Sequence, residues 1–368
     1  MHLLSLTTDH LRVPFPRPGR VSLSDPKPTG PDTVDLVLVR VDTDAGVTGL
    51  GFTYVLGPGA TAVRGLIDAE IAPVVSGEDP HDTDRLFAKA ETRFRGVGFT
   101  GLVARAYAAV DIALWDVKAK AAGVPLFRLL GNARAAAPFF VSDLATPGRS
   151  AADVVKAAKP LLKLGATGLR VEVGTRDLRA DADRVREISD GLGEDASVSV
   201  AADGRFDLGT AEALTHFFED IGVDWFEDPI PAADTLGYQK LANLMEVPLA
   251  GGSSVDTRER VFRVIRDGMV RTIRPDVCRI GGITPLLKVA TVAEAFQVSV
   301  SPVRLPEIGV HLACGIGVVP HVDTVSWFAD VFTDGPKPEN GKLVPPAEVG
   351  LGLVVNESSV AKWRVSGR

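Results

Sequence analysis

Three short apolar runs that each end in charge set the pattern of the chain: GATGLRVEVG from Gly165, VSVAADGRFDL from Val198 and VDWFEDPIP from Val223. Helix-like sequence separates them, and strands alternating with helices imply a parallel sheet. Period-two alternation puts Arg170 and Glu172 on one strand face, Ala201 and Asp203 on a second, Trp225 and Glu227 on a third. In a parallel barrel the C-terminal strand ends face the reaction site. Arg170, Glu172, Asp203 and Glu227 are therefore expected at one mouth.

The same reading extends along the whole chain. Residues 3–7 and 34–41 read as strands, and TDAG at 43–46 is a turn into VTGLGFTYV. Spacing predicts helices over 60–74, 81–95 and 100–122, the last stopped by Gly123. Asp111 and Asp116 on that last helix read as surface or inter-domain partners. Repeating strand–helix units follow, with strands at about 137–142, 168–173, 197–202, 223–227, 247–251, 271–275, 298–302 and 323–328. Helices are expected over 150–163, 178–190, 210–220, 235–244, 256–267 and 283–296. The expected fold class is α/β: an N-terminal α+β unit over 1–132, a barrel over 133–334, and an irregular return at about 335–368 packing back on the first unit.

The Pro- and Gly-rich segment at about 12–30 carries Arg17, Arg20 and Lys27. It reads either as a surface loop or as a lid whose cations meet an anionic ligand. Composition narrows the partners. A net charge of −7 gives no basic footprint for nucleic acid or an anionic membrane, and no apolar run is long enough to span a bilayer. There is no signal-peptide pattern, so a cytoplasmic location is expected. Two cysteines, Cys278 and Cys314, argue against a disulfide framework and lack metal-ligand spacing. No Gly-rich phosphate fingerprint follows a strand, which disfavours a dinucleotide fold.

ARAYAAVDIALWDVKAKAAGVPLFRLLG, DGRFDLGTAEAL, WFEDPIP, RPDVCRIGGIT and VSVSP…PEIGVHL, in that order, resemble the mandelate racemase-like branch of the enolase superfamily. The resemblance implies an α+β capping domain followed by a modified (β/α)7β barrel, with the site between them. It also implies a homo-oligomer, magnesium or another divalent cation as cofactor, and a small carboxylate or acid-sugar substrate. The family reaction removes the proton alpha to the carboxylate, leading to dehydration (a lyase) or racemisation (an isomerase). A Lys or His base with bound Mg²⁺ is the pattern the superfamily exemplifies. The segment at 12–30 and the loop after Tyr54 would set specificity, with Arg17, Arg20, Tyr54, Arg170 and Asp203 as substrate contacts.

Transferred residue by residue, the family machinery meets substitutions. The Lys-x-Lys of strand two falls on Arg170-Val171-Glu172, and the Asp-x-Asn of strand three on Ala201-Ala202-Asp203. The strand-four ligand is kept as Glu227. The Gly-Glu of strand five falls on Gly252-Ser253. Asp276 is kept on strand six, but its histidine partner on strand seven falls on Val303, and the strand-eight acid on Ala329. A degenerate site with altered or lost activity follows, or a non-catalytic homologue. Arg170, Glu172 and Asp276 are then the candidates for catalysis.

Three carboxylates remain on strands two to four: Glu172, Asp203 and Glu227. They are expected either to hold a displaced cation, since such ions take oxygen ligands, or to be bridged by Arg170 and Arg205. Glu227 is open to both readings. Asp276 is expected to accept backbone hydrogen bonds, His311 to be structural, His321 to stand at a pocket rim, and Cys278 to share the face of Asp276.

Overall fold

The computed structural model describes residues 1–15, 21–22, 25–28, 33–194 and 196–365. Arg17 and Arg20, and the side chain of Lys27, fall outside the described residues, so the lid expected over 12–30 is described only in part.

Three antiparallel strands open the chain: β1 (Leu3–Pro14), β2 (Thr33–Thr43) and β3 (Thr48–Val55), with β2 in the centre. Alternation along β2 divides its side chains between two cores. Val37, Val39 and Val41 face the capping helices, while Leu36 and Leu38 join the core shared with the barrel. β1 runs well beyond residue 7 because it pairs with β2 along its length, from Leu6↔Val41 to Pro14↔Thr33.

The helix Gly101–Ala121 lies between these layers and is buried nearly all round, so its apolar residues form no single stripe. Its acids tie the layers together. Asp116 accepts from the backbone N–H of Leu50 on β3 and of Leu351, each at 2.7 Å. Asp111 accepts from the Thr284 hydroxyl at 2.6 Å and its N–H at 2.9 Å. Neither is at a helix surface. β3 meets this helix backbone to backbone, because a Cβ at Gly51 would collide with the Ala109 carbonyl.

Eight parallel strands form the barrel: β4 (Phe139–Ala145), β5 (Gly168–Glu172), β6 (Ser197–Ala201), β7 (Phe226–Glu227), β8 (Leu249–Gly251), β9 (Thr272–Ile273), β10 (Ser299–Val300) and β11 (Val322–Thr324). Sheet order is β10-β9-β8-β7-β6-β5-β4-β11, so first and last barrel strands are neighbours. The last strand is shorter than the expected 323–328.

Side-chain caps start the helices that follow the first five barrel strands: Ser150, Asp177, Asp207, Asp234 and Thr257 each accept an N–H of the first turn. After the barrel, Lys337–Glu339 and Lys342–Val344 pair as a hairpin inside the segment expected to be irregular. The helix Glu357–Trp363 then brings the chain back to β1, where Val365 donates to the His10 carbonyl.

Candidate functional site at the barrel mouth

Arg170 is the hub of the barrel mouth. Its position on β5 aims the guanidinium inward, where Nε reaches Glu227 at 3.0 Å, Nη1 reaches Glu172 at 3.1 Å, and Nη2 reaches Asp203 at 2.7 Å. The expected cluster of Arg170, Glu172, Asp203 and Glu227 is thus in contact. Asp203 gets there from beyond the end of β6, through a left-handed backbone at φ 50°, an uncommon conformation outside glycine. Its other oxygen accepts from Arg205 at 3.2 Å. Burial works against charge on Arg170, but Glu227, Asp203 and Glu172 outweigh it and raise its pKa well above the ordinary value.

A second guanidinium continues the network. Arg274, fully buried, has Nε 2.8 Å from Glu227, an ion pair without hydrogen-bond alignment. It also donates to Asp323 and to the Ser301 hydroxyl, each at 2.7 Å, and lies over the rings of Phe140 and Trp225. His321 completes this layer, stacked on Trp225 at 5.8 Å and within 2.9 Å of Ser301 Oγ. Burial, with Arg274 close by, lowers the imidazole to about 4, so it is neutral at pH 7 and a weak base.

Asp276 organises the opposite side of the mouth. Tyr54 donates to it at 2.6 Å, and the N–H of Cys278 at 2.9 Å. Arg105, Arg279 and Arg304 stand at 3.4, 3.6 and 4.0 Å. Burial alone would raise Asp276, yet Arg105, Arg304 and the Tyr54 hydroxyl hold it below the usual carboxylate range. Cys278 is buried and pushed up to about 12, which removes it as a thiolate nucleophile. His311 bonds the Leu351 carbonyl at 3.0 Å, away from the mouth.

Other positions singled out in the sequence are turned elsewhere. Ser253 donates to Asp228 at 2.6 Å, beside Tyr238, rather than to Glu227. Ala201 and Val303 are buried and offer no donor atom. Ala329 lines a separate cavity of about 370 Å³ between β4, β11 and the Lys337 hairpin, together with Glu307 and Asp143. Arg274 and Arg304 were missed in the sequence, although each had a signal: the first lies two residues before Asp276, the second next to Val303. Arg105, on the long capping helix, carried no sequence signal for this site.

Both halves of the chain match known family models. Residues 21–131 match the mandelate racemase / muconate lactonizing enzyme N-terminal domain, and 153–359 match the enolase C-terminal domain-like model. The chain belongs to the enolase superfamily, in its mandelate racemase/muconate lactonizing enzyme-like branch. It is 27% identical over 330 residues to L-talarate/galactarate dehydratase of Salmonella typhimurium, covering 90% of this chain and 82% of that protein. It is 29% identical over 316 residues to 3,6-anhydro-alpha-L-galactonate cycloisomerase of Streptomyces coelicolor, covering 85% of each. The crystal structure of L-talarate dehydratase from Polaromonas sp. JS666, complexed with Mg and L-glucarate, superposes with a TM-score of 0.90 at 28% identity over 99% of this chain and 98% of that one.

Magnesium is the ion such relatives hold, and the donor set at this mouth does not fit it. Mg²⁺ demands near-octahedral oxygen ligation. Here the guanidinium of Arg170 occupies the space among Glu172, Asp203 and Glu227, the acids expected as a displaced cation site. Among the described residues, no group of three or more His, Cys, Asp or Glu side chains could hold a metal ion.

Proposed function

We propose that this protein takes a small carboxylate or acid sugar at the barrel mouth, recognised by guanidinium groups, and that magnesium-assisted α-proton abstraction is not its reaction. The observation that carries this reading is the Arg170 guanidinium among Glu172, Asp203 and Glu227. The ligand class rests on the relatives, which are acid-sugar dehydratases and a cycloisomerase.

The chemistry argues the rest. An α-proton beside a carboxylate is a very weak acid, and its removal needs concentrated positive charge on the developing dianion. A guanidinium supplies one delocalised charge and no coordination site. The usual bases are absent as well: Glu172, at the lysine position, is paired with Arg170, and Val303 stands at the histidine position. General acid–base catalysis contributes about 10²–10⁴-fold on its own. A non-catalytic ligand-binding homologue is the second reading, favoured by the ion pairing of both Glu172 and Asp276.

The test is dehydration and α-deuterium exchange on a panel of aldonates and aldarates, with and without Mg²⁺. No magnesium-dependent turnover is expected. Turnover at ordinary enzyme rates that requires Mg²⁺ overturns the proposal. Metal-independent exchange that disappears in Glu172→Gln favours an altered lyase or isomerase over the non-catalytic reading.

A further inference from the structure

Charge at the mouth is unevenly divided. Around Arg170, among the described residues, acids and bases interleave: Glu172, Asp203, Glu227 and Asp323 with Arg170, Arg205 and Arg274. Across the mouth the balance inverts, with Arg105, Arg279 and Arg304 converging on Asp276. That carboxylate is already engaged by the Tyr54 hydroxyl and by the backbone N–H groups of Cys278 and Arg279.

Two of the three are poorly satisfied: Arg279, 39% exposed, has no hydrogen-bond partner at Nε among the described residues, and Arg304, 15% exposed, is held only slightly better. Arg304 is 4.0 Å from Asp276, and its one hydrogen bond to a described side chain, at 3.3 Å, goes to a Tyr54 oxygen that itself donates elsewhere. It lies over the Trp327 ring at 5.9 Å. Its backbone and that of Leu305 are both left-handed, at φ 61° and 45°, a costly pair for non-glycine residues. The charges of Asp203 and Arg170, in the acid-rich half, act on Arg304 through space.

We infer that Arg304, backed by the positive charge of Arg105, is the subsite for the ligand's carboxylate, with the hydroxyl-bearing carbons directed toward Glu172 and Asp203. A guanidinium fork matches a carboxylate bidentately. The orientation is the reverse of the one the family resemblance implies, in which a metal on the third to fifth strands holds the carboxylate. This inference rests on the reading that the ligand is a small carboxylate.

The experiment is calorimetric binding of an aldonate and aldarate panel, each member against its uncharged alditol, to the full chain and to Arg304→Met and Arg304→Lys. Thermal melts check that both variants fold. The wild type is expected to prefer the acid over the alditol. Arg304→Met should weaken acid binding about 10- to 100-fold, in line with a lost charge-assisted pair, and leave the alditol unchanged. Arg304→Lys should keep part of the preference through its point charge. Acid binding that survives Arg304→Met intact overturns the orientation while sparing the ligand class. So does equal loss of acid and alditol in a folded variant. A wild type that binds no member of the panel overturns the ligand class, and the subsite with it.

Discussion

Arg170 donates to three carboxylates from one guanidinium, so its removal leaves three buried or half-buried acids facing one another. Breaking a buried ion pair costs about 3–5 kcal/mol. Arg170→Met should therefore lose stability of that order in urea melts, with part recovered by adding Glu227→Gln. A single variant within about 1 kcal/mol of wild type would mean that water already carries this network. Glu307 makes a different prediction. Its Oε2 has no hydrogen-bond partner among the described residues, and burial raises its pKa from 4.5 to about 7. Between those values the unfolded chain ionises and the folded one does not, so this group lowers stability as pH rises toward 7. Glu307→Gln removes that loss, and should stabilise the protein by about 3 kcal/mol at pH 8 and by less than about 1 at pH 5. Asp111, raised to about 7, acts in the same direction, while His311 and His321, lowered to about 4, act in the opposite one. The wild-type profile therefore hides the effect, and the difference between variant and wild type reveals it; equal gains at both pH values would refute the ionisation argument. Alternation within β5 made the Arg170–Glu172 pair legible in the sequence. The bridging of Asp203 by Arg170 and Arg205 was among the readings of the sequence, though the left-handed turn that carries Asp203 there was not, and the Arg105 contact needed the docking of two domains.

Elements whose signal is local were easiest to read. The alternation of β2 and the repeated strand–helix spacing follow from side-chain geometry alone. Where long-range pairing decides, the sequence fell short: TTDH inside β1 is too polar to read as strand, and β2 makes it one. The helical run at 60–74 contains a π-turn at Ile67–Ile71, which 3.6-residue spacing does not distinguish from a straight helix. The hairpin at 337–344 did carry a signal, Asn340-Gly341, whose positive φ values of 50° and 77° suit a tight β-turn. Two glycines test what packing adds to local preference. Gly51→Ala drives a methyl into the helix backbone at Ala109 and Ala113, and should cost about 1–3 kcal/mol by overpacking. Gly65→Ala lies on an exposed helical turn with nothing within 4 Å, and should gain up to about 1 kcal/mol. Chemical denaturation of the two variants compares them directly, and effects of the same sign would contradict the close β3–helix contact.

The barrel as a whole closes by two kinds of bond. Backbone ladders run from β10 round to β11, and side chains cross the remaining seam, through His321–Ser301 and through Arg274 to both Ser301 and Asp323. No helix of the described residues is long and apolar enough to cross a membrane. The fold is that of relatives crystallised with magnesium, so the comparison turns on what fills the centre of the mouth. If Arg170 stands in the place of a cation, added metal should do nothing to the wild type. A site with a dissociation constant of about 0.1 mM would contribute about 2.7 kcal/mol at 10 mM Mg²⁺, and a Tm rise on the order of a few degrees. The expected wild-type shift is under about 1 °C, far below that figure. Arg170→Met gives the informative contrast. With the guanidinium gone, Glu172, Asp203 and Glu227 offer hard oxygen donors to a divalent cation, in competition with Arg205 on Asp203 and Arg274 on Glu227. Magnesium or calcium at 10 mM, a concentration of about one hundred times that dissociation constant, should then raise the Tm of the variant and leave the wild type unmoved, and EDTA should reverse the gain. A wild type stabilised by metal would show that Arg170 moves aside for an ion. A variant indifferent to metal would show that the three acids are not arranged as ligands even when released.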